Sequence, residues 1–506
     1  MITILRRASG TLRLLAAACL GACAPNPAPV PAPPAAADGA VHVTLLHIND
    51  VYEITPVEGG KAGGLARIAT LRRRLAADNP ATATLLGGDF VSPSALGTAR
   101  VNGQRLGGRQ MIAVLNAAGL GVATFGNHEF DISEAELGRR IAESRFAWVS
   151  SNVTDSTGAP LFGVPRHLLV RLTDASGRPA RIGIVAATLD QVRKPNLRYR
   201  PPVAALREEI ARIRDSVDVV VALTHLALQG DATLADSIPE IDLILGGHEH
   251  ENWSLRRGPR FTPVIKADAN ARSAAVVSLT LRPGARPAVD WRIVPVTDSI
   301  PEDPAVAAEA ARWTGLAYDA FREDGLDPTR VIATLPMPLD ARESIVRNGE
   351  NAFTRILTEA WRAEAPAAEV ALVNSGSIRI DDILPPGPIT EYDVIRLLPF
   401  GGKVVEVEMT GPLLLRTLEQ GESNRGIGGW LLRSGAVRTP SGWQIDGQAF
   451  DSLRRYRVVT TDFLVSGGEQ NMSWLSERNS QLRILGALRD ARLVLIDELR
   501  RRFPSR

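Results

Sequence analysis

Five short apolar runs in this chain each end in a cluster of aspartate, asparagine or histidine, and this pattern constrains the fold most strongly. The runs are β-prone and occupy residues 43–46, 83–86, 121–125, 219–223 and 241–245. Helical spacing of apolar residues occurs between them, at residues 66–77, 109–118, 134–143 and 203–214. Alternating strands and helices predict a layered α/β fold with polar residues at the carboxyl ends of its strands, where such folds build sites.

The polar clusters have the composition of a site for two metal ions. They are Asn49-Asp50, Gly87-Gly88-Asp89, residues 126–131 (Gly-Asn-His-Glu-Phe-Asp), Thr224-His225 and residues 246–250 (Gly-Gly-His-Glu-His). A single Gly-Gly-Asp or Thr-His is commonplace, and a lone histidine at a strand end is more often a hydrogen-bonded structural residue. Four of the seven histidines fall in these clusters, however. We interpret the other three, His42, His47 and His167, as structural.

The chemistry that these groups favour is hydrolysis of a phosphate ester. It requires a carboxylate that bridges two ions, neutral imidazole and amide ligands, and open positions for water and phosphate. Asp89 is the expected bridging ligand, because two preceding glycines let the backbone approach closely. We expect the remaining ligands to divide between the ions, with Asp50 and His250 on one and Asn127, His225 and His248 on the other. These ligands suit Mn, Zn, Co or Fe comparably.

His128 does not need to be a ligand. We expect it to stabilise the transition state or to protonate the leaving oxygen, while a metal-bridging hydroxide attacks phosphorus. Asp131 lies three residues further on and is expected to fix the tautomer of His128 and raise its basicity. Both residues are therefore candidate catalytic residues.

Length and composition predict a globular protein of two domains. A chain of 506 residues is too long for one ordinary core, and a formal net charge of +2 provides no basic field for nucleic acid. We predict a phosphoesterase domain at residues 41–300, a linker helix within residues 301–325 and a second domain at residues 326–506. The oligomeric state is open.

The N-terminal segment has the features of a signal peptide, predicted at residues 1–22. Arginines precede an apolar run at residues 14–20 that is too short to cross a membrane. Residues 20–23 (Leu-Gly-Ala-Cys) resemble a bacterial lipobox, which implies lipidation of Cys23; a plain secretory signal is the alternative. Residues 23–40, rich in proline and alanine, then predict an extended tether. We expect a lipid anchor as the one membrane attachment and a location facing the periplasm or cell exterior.

The order of the five clusters resembles that of the calcineurin-like metallophosphoesterases and, more narrowly, of the bacterial 5'-nucleotidase / UDP-sugar hydrolase family. The likeness extends from about Val41 to near the C-terminus, and the motif at residues 126–131 is highly specific. The resemblance implies an α/β fold in which a four-layer metallophosphoesterase sandwich is joined by a helix to a C-terminal α/β nucleotide-binding domain.

The same resemblance implies a substrate pocket in the second domain. Residues 374–379 (Asn-Ser-Gly-Ser-Ile-Arg) are similar to a family loop in which asparagine and arginine contact substrate. Two phenylalanines stand where the family supplies rings that sandwich a base, and such stacking is worth about 1–3 kcal/mol per base in nucleic-acid binders. Core packing is the alternative for either ring. The implied substrate-binding residues are Arg347, Asn374, Gly376, Arg379, Phe400, Phe463 and Glu469.

Two departures from the family pattern bear on the site. Tyr52 stands where the family has a metal-binding histidine, so the first ion has a phenolate ligand, Glu53 as a substitute, or neither. In the second domain, residues 351–354 (Asn-Ala-Phe-Thr) replace a family signature, and Ser377 replaces a glycine. The second departure bears on nucleotide specificity more than on phosphoesterase chemistry.

The sequence therefore predicts a phosphoesterase with two divalent metal ions that hydrolyses nucleoside 5'-monophosphates or related nucleotides. A phosphatase for another small organic phosphate, such as a sugar phosphate or a 2',3'-cyclic nucleotide, is the alternative among enzymes. A non-catalytic nucleotide-binding lipoprotein is the alternative of another class, although such a protein has no need of the His128 and Asp131 pair. A related fold that hydrolyses protein-bound thiosulfate is disfavoured by the two phenylalanines.

Overall fold

Two six-stranded sheets form the first half of the chain in a computed structural model that describes residues 39–505. One sheet has the order Ala288–Pro295, Ser273–Leu281, Val41–Ile48, Thr82–Leu86, Val122–Thr124, Ala147–Val149. The other has the order Trp253–Arg257, Thr262–Lys266, Leu243–Gly246, Val219–His225, Pro179–Thr188, His167–Thr173. Four adjacent strands in each sheet are parallel, so their carboxyl ends lie at one edge. The predicted signal peptide, Cys23 and all but the last two residues of the tether lie outside the described residues.

The sheets pack face to face between two helical layers. Val43 and Leu45 of the strand Val41–Ile48 lie in a core shared with the second sheet, whereas Leu46 and Ile48 lie in the core beneath the helices. This division follows from the two-residue period of a strand, which sends successive side chains to opposite faces. Both faces are buried, and the run is accordingly apolar on both. The result is the four-layer sandwich that the family resemblance implies.

The predicted helices are confirmed to within one residue at each end. They are Leu65–Asp78, Arg109–Ala118, Glu134–Glu143 and Pro202–Ile213, and Leu228–Ser237 adds a further helix beside the second sheet. Glu134–Glu143 begins with a capping box in which Ser133 accepts from the Glu136 N–H. Among the described residues, no helix combines the length and apolar character that a membrane span requires.

A long helix, Pro304–Glu323, separates the two halves of the chain. Asp303 caps its first turn by accepting from the N–H groups of Ala305 and Val306, and Pro304 occupies the first helical position. Trp313 and Phe321 are buried on its inner face, which packs against the helices Leu65–Asp78 and Arg109–Ala118. The connecting helix thus lies on the outer helical layer of the first sandwich.

A second α/β unit follows the connecting helix. Its five-stranded sheet has the order Leu431–Ser434, Val370–Asn374, Arg455–Thr461, Lys403–Thr410, Leu482–Asp490. Its helices are Glu343–Val346, Ala352–Glu364, Glu391–Leu397, Gly411–Ser423, Asp462–Val465 and Ala491–Arg502. Its smaller strands are Val331–Leu335, Leu339–Asp340, Ile383–Leu384, Gly387–Thr390, Ala436–Thr439, Gly442–Ile445 and Gln448–Ala449. Loops after the strands Val370–Asn374 and Arg455–Thr461 face the sandwich and form the wall of a cavity described below.

Candidate active site

The predicted metal ligands converge where the two sheets present the carboxyl ends of their strands. Asp50, Asp89 and Asn127 follow three neighbouring strands of the first sheet. In the second sheet His225 is the last residue of one strand, and His248 and His250 follow the strand beside it. Donor atoms of Asp50, Asp89 and His225 all lie within 4.8 Å of one another, and the three side chains are buried. The sandwich therefore brings together residues that are up to 200 positions apart, as Asp50 and His250 are in sequence.

Short distances join five side chains in this cluster. His225 Nε2 lies 3.1 Å from Asp89 Oδ2 and 3.9 Å from Asp50 Oδ1. His250 Nε2 lies 3.4 Å from Asp50 Oδ1. The Tyr52 hydroxyl lies 3.0 Å from His250 Nε2, 3.3 Å from Asp89 Oδ2 and 3.4 Å from Asp50 Oδ1. The Tyr52 hydroxyl thus lies among the predicted ligands, whereas the Glu53 carboxylate accepts hydrogen bonds from Tyr392 and Arg396.

Four residues of the cluster adopt a left-handed backbone conformation, which is energetically costly for any residue other than glycine. They are Asp50 (φ 53°), Asp89 (φ 56°), His248 (φ 92°) and His250 (φ 61°). Each such conformation costs about 1–3 kcal/mol and persists only where surrounding structure enforces it. Close packing provides that enforcement, because a Cβ atom at Gly126 would lie 2.0 Å from Asp89 Oδ1. The loops are held in one shape by contacts that leave no room to relax.

Glu129 ties two of these loops together. Its fully buried carboxylate accepts hydrogen bonds from the N–H groups of Asp89, Phe90, Val91 and Gly126, at 2.5–3.0 Å. Burial, with a further contribution from Asp89, raises the pKa of this carboxyl to about 7, and the four donors stabilise its ionised form. Glu129 therefore positions the backbone around Asp89.

A buried lysine supports the loop that carries His248 and His250. Lys266 Nζ donates to the carbonyls of Leu226 (2.6 Å) and Gly247 (2.7 Å) and lies 2.9 Å from Asp231 Oδ2. Its ammonium also contacts Glu249, whose carboxylate accepts from the Leu228 N–H at 2.5 Å. These partners offset the cost of burying the charge. Sequence reasoning did not find this lysine, because a strand-end residue in an apolar run carries no motif.

The carboxylates hold protons on two of the histidines. Burial lowers the pKa of His225, but Asp89 and Asp50 outweigh it and raise that pKa to about 9. Burial also lowers the pKa of His250, but Asp381 outweighs it and raises that pKa well above its usual value. His248 differs, since burial lowers its pKa to about 3. In the metal-free protein, protons on His225 and His250 thus offset the charge of the carboxylates, and a bound cation would take the place of these protons.

The donor set fits divalent metal ions. Asn127 Oδ1 is buried and has no hydrogen-bond partner within residues 39–505. Burying an amide oxygen without a partner costs roughly 1–3 kcal/mol of folding free energy, unless the oxygen binds a cation or accepts a hydrogen bond from water. The His248 N–H donates to Asp50 Oδ2 at 2.9 Å, and its ring meets that of His225 edge-on at 5.4 Å. Carboxylate, amide and imidazole donors facing one point are the ligand types that first-row transition metals prefer.

One cavity of about 1020 Å³ connects this cluster with the second domain. On the sandwich side it is lined by Asp89, Asn127, His128, Asp131, His248 and His250. On the other side it is lined by every predicted substrate-binding residue, namely Arg347, Asn374, Gly376, Arg379, Phe400, Phe463 and Glu469. Arg105, in the short strand Gln104–Arg105, and Lys194, in a loop, also line it. Sequence reasoning missed both because isolated basic residues carry no signal. The cavity volume is typical of a site for a small molecule.

His128 stands at the sandwich side of the cavity with its ring oriented by Asp131. Nδ1 of His128 lies 2.6 Å from Asp131 Oδ2, and the backbone N–H of His128 donates to Asp89 Oδ1 at 2.8 Å. Both residues belong to the short 3-10 helix His128–Asp131. This arrangement leaves Nε2 as the ring nitrogen that is available to a group in the cavity.

The far wall of the cavity combines charge with two half-exposed rings. Asn374 Nδ2 donates to Glu469 Oε2 at 2.8 Å, and Arg379 lies over the ring of Phe400 at 5.5 Å. Phe400 and Phe463 are 48% and 47% exposed, so core packing does not explain either ring. Ser377 is accommodated because its hydroxyl donates to Asn374 Oδ1 at 2.7 Å. Segment 351–354 opens the helix Ala352–Glu364 with a capping box formed by Asn351 and Thr354.

Comparison with known proteins finds the same two parts in the same order. The calcineurin-like phosphoesterase family matches residues 43–252, and the C-terminal domain of 5'-nucleotidase matches residues 331–477. The 5'-nucleotidase of Vibrio cholerae is 26% identical over 442 residues, covering 75% of this chain and 75% of that protein. These matches confirm the fold predicted from the sequence.

Two solved structures share the fold. The 5'-nucleotidase precursor from Thermus thermophilus has a TM-score of 0.74 at 23% identity, covering 92% of this chain and 97% of that one. The sulfate thiohydrolase SoxB of Thermus thermophilus, solved with glycerol, has a TM-score of 0.70 at 20% identity, covering 91% and 94%. Because proteins with different names share this fold, the substrate must be argued from the cavity.

Proposed function

We propose that this chain, which belongs to the 5'-nucleotidase family of the calcineurin-like metallophosphoesterases, hydrolyses nucleoside 5'-monophosphates or related nucleotides. One observation carries the proposal: a single cavity is lined by the Asp89 and Asn127 side of the cluster and by Phe400 and Phe463. A nucleotide has a phosphate that suits the side of the cavity with Asp89 and Asn127, and a flat base that suits the side with the two phenylalanine rings. A sugar phosphate would leave the two rings without a partner.

We assign the metal ligands as the sequence predicts. Asp89 would bridge two divalent ions, Asp50 and His250 would complete one, and Asn127, His225 and His248 the other. Tyr52 would replace a histidine on the first ion, which its distances to the cluster support. When bound, the ions would act as a Lewis acid on the phosphoryl oxygens and lower the pKa of water. Burial, Asp89 and Asp50 raise the pKa of the Tyr52 phenol well above its usual value, so a cation is needed for it to ligate as phenolate.

The residues of the chain have separate tasks around the substrate. Arg347 and Arg379 bring positive charge to the far wall of the cavity. Glu469 would accept hydrogen bonds from the sugar hydroxyls of the substrate, and Asn374 would contact the substrate beside Glu469. Phe400 and Phe463 would hold the base. His128, oriented by Asp131 at 2.6 Å, would donate a hydrogen bond or a proton to the oxygen that leaves phosphorus.

We also propose export with a lipid anchor at Cys23. The support is the apolar run at residues 14–20 followed by Leu-Gly-Ala-Cys at residues 20–23. Nucleotides outside the cytoplasm would then be the accessible substrates. Cys23→Ala would release the protein from the membrane fraction without changing the activity of the folded domains, and retention of that variant on membranes would contradict the anchor.

Hydrolysis of a panel of phosphate esters, followed through the organic product of each, tests the proposed function. Metal-stripped protein would be assayed with AMP, UDP-glucose, a 2',3'-cyclic nucleotide and a sugar phosphate after Mn, Zn, Co or Mg is restored singly. We expect metal-dependent hydrolysis of AMP that is lost in Asn127→Ala and kept in His42→Ala, a control histidine outside the cluster. Hydrolysis of the sugar phosphate alone would contradict the substrate. Nucleotide binding without turnover under any metal would favour a binding protein.

A further inference from the structure

We propose that Asp381, a residue of the second domain, positions His250 of the first domain as a metal ligand. Metal affinity would then depend on contact between the two domains. This inference rests on the proposed function insofar as it places His250 at the metal centre. Asp381 would be a positioning residue, since it acts through the His250 ring.

The contact between the two side chains is short and largely buried. His250 Nδ1 lies 2.7 Å from Asp381 Oδ2, with 12% of the histidine side chain and 8% of the aspartate side chain exposed. A proton on Nδ1 that is donated to the carboxylate leaves the lone pair on Nε2, the nitrogen that lies 3.4 Å from Asp50 Oδ1. A carboxylate on the remote nitrogen of a ligating histidine fixes the tautomer, orients the ring and strengthens the ligand.

Asp381 is itself held in place from its other side. Its Oδ1 atom accepts from the Glu343 N–H at 2.8 Å, and its backbone has a positive φ of 41°. A non-glycine residue in this conformation is uncommon and requires support from its neighbours. The carboxylate is therefore fixed between the helix Glu343–Val346 and the His250 ring rather than free to rotate into solvent.

The segment that carries Asp381 also carries substrate-binding candidates. Asn374, Gly376 and Arg379 precede it by seven, five and two residues, and all three line the cavity. The Glu343 carboxylate lies 3.5 Å from Arg379 Nη1 and also pairs with Arg347. A nucleotide that orders these arginines would act on the same segment that orients His250, so substrate binding and metal binding are expected to strengthen each other.

A second contact between the domains supplies a matched control. The Tyr392 hydroxyl donates to Glu53 Oε2 at 3.1 Å, and Arg396 Nε donates to Glu53 Oε1 at the same distance. Glu53 is buried and is not a candidate ligand in this arrangement. Tyr392→Phe therefore removes one hydrogen bond between the domains and leaves His250 with all its partners.

Metal titration of the full-length protein without substrate tests the proposal. With Mn²⁺ as the probe, we expect Asp381→Asn to weaken binding of one ion by about 10–100-fold. Asp381→Glu, which keeps a carboxylate, should recover part of the loss, and Tyr392→Phe should change the affinity by less than about 3-fold. In a His250→Ala background, Asp381→Asn should have no further effect on affinity, which a general structural role would not produce. Melting of the metal-free variants verifies that each is folded.

Kinetics add a second readout. For Asp381→Asn we expect kcat for AMP to approach that of the unmodified protein as Mn²⁺ is raised. Unchanged Mn²⁺ affinity in Asp381→Asn, or an equal loss in Tyr392→Phe, would overturn the proposal. Since the titration needs no substrate, a protein that hydrolyses no nucleotide yet loses Mn²⁺ affinity on Asp381→Asn would contradict the proposed function and uphold this inference.

Discussion

Asp131 accepts from His128 across 2.6 Å, three residues along the same short helix, at the sandwich side of the cavity. The contact fixes which ring nitrogen faces the substrate. His128→Ala is expected to lower kcat by about 10²–10⁴-fold, the usual contribution of a positioned acid or base. Asp131→Asn should lower kcat by a smaller factor, because the ring remains but its orientation and basicity change.

Steady-state kinetics with AMP at saturating metal would measure both effects. Glu134→Gln is the matched control, since Glu134 contacts Asn196 and does not line the cavity. A normal kcat in His128→Ala would remove this residue from the chemistry.

Glu129→Gln is expected to weaken both folding and metal binding. In the unmodified protein four backbone N–H groups donate to the Glu129 carboxylate. The glutamine amide would instead place its own N–H donor against some of these groups. Leaving a buried donor unsatisfied lowers the free energy of unfolding by about 1–3 kcal/mol. Denaturant unfolding and metal titration would measure the two losses.

Glu209→Gln is the control for burial alone. Glu209 is buried and contacts His167 at 2.7 Å, outside the cavity. We expect this variant to lose stability and to keep its metal affinity. Equal metal affinity in both variants would show that Glu129 does not position the Asp89 loop.

Phe400→Ala and Phe463→Ala are expected to weaken nucleotide binding selectively. A stacked base contributes about 1–3 kcal/mol per contact, which corresponds to a rise of roughly 5–150-fold in KM for AMP. Hydrolysis of ribose 5-phosphate, which has no base, should change little. Phe261→Ala, at an exposed ring outside the cavity, is the control, and a parallel loss for both substrates would contradict base stacking.

Metal affinity should rise with pH below about 9. Burial lowers the pKa of His225, but Asp89 and Asp50 outweigh it and raise that pKa to about 9, so the metal-free protein holds a proton that a metal must displace. Each displaced proton makes affinity about tenfold stronger per pH unit in this range. Calorimetry in buffers of different ionisation enthalpy would measure proton release, and a pH-independent affinity between pH 6 and 8 would argue that His225 is not a ligand.

The sequence was sufficient to locate the candidate site because its pattern is local. Each cluster follows an apolar strand, and parallel strands place their carboxyl ends at one edge of a sheet, so Asp50 and Asp89 could be expected to meet. His225 joins them because the second sheet packs against the first. Tyr52 was found as a departure from the family pattern, and the structure places its hydroxyl within 3.4 Å of both carboxylates.

The remaining features depend on packing that no local pattern encodes. The hydrogen bonds of Glu129 to four backbone N–H groups arise from the shape of two loops. The Asp381 and His250 contact joins residues 131 positions apart and exists only where the two domains meet. Glu53 was a candidate ligand by its place beside Tyr52, but its carboxylate turns to Arg396, where a buried charge finds a partner.

A crystal structure with Mn²⁺ and a non-hydrolysable nucleoside diphosphate analogue would test the shared cavity most directly. We predict anomalous signal from two ions around Asp89, the phosphoryl end of the analogue beside Asn127 and His128, and the base between Phe400 and Phe463. An absence of anomalous signal at the Asp50, Asp89 and His225 cluster, or a base bound away from the two rings, would contradict the proposed nucleotidase.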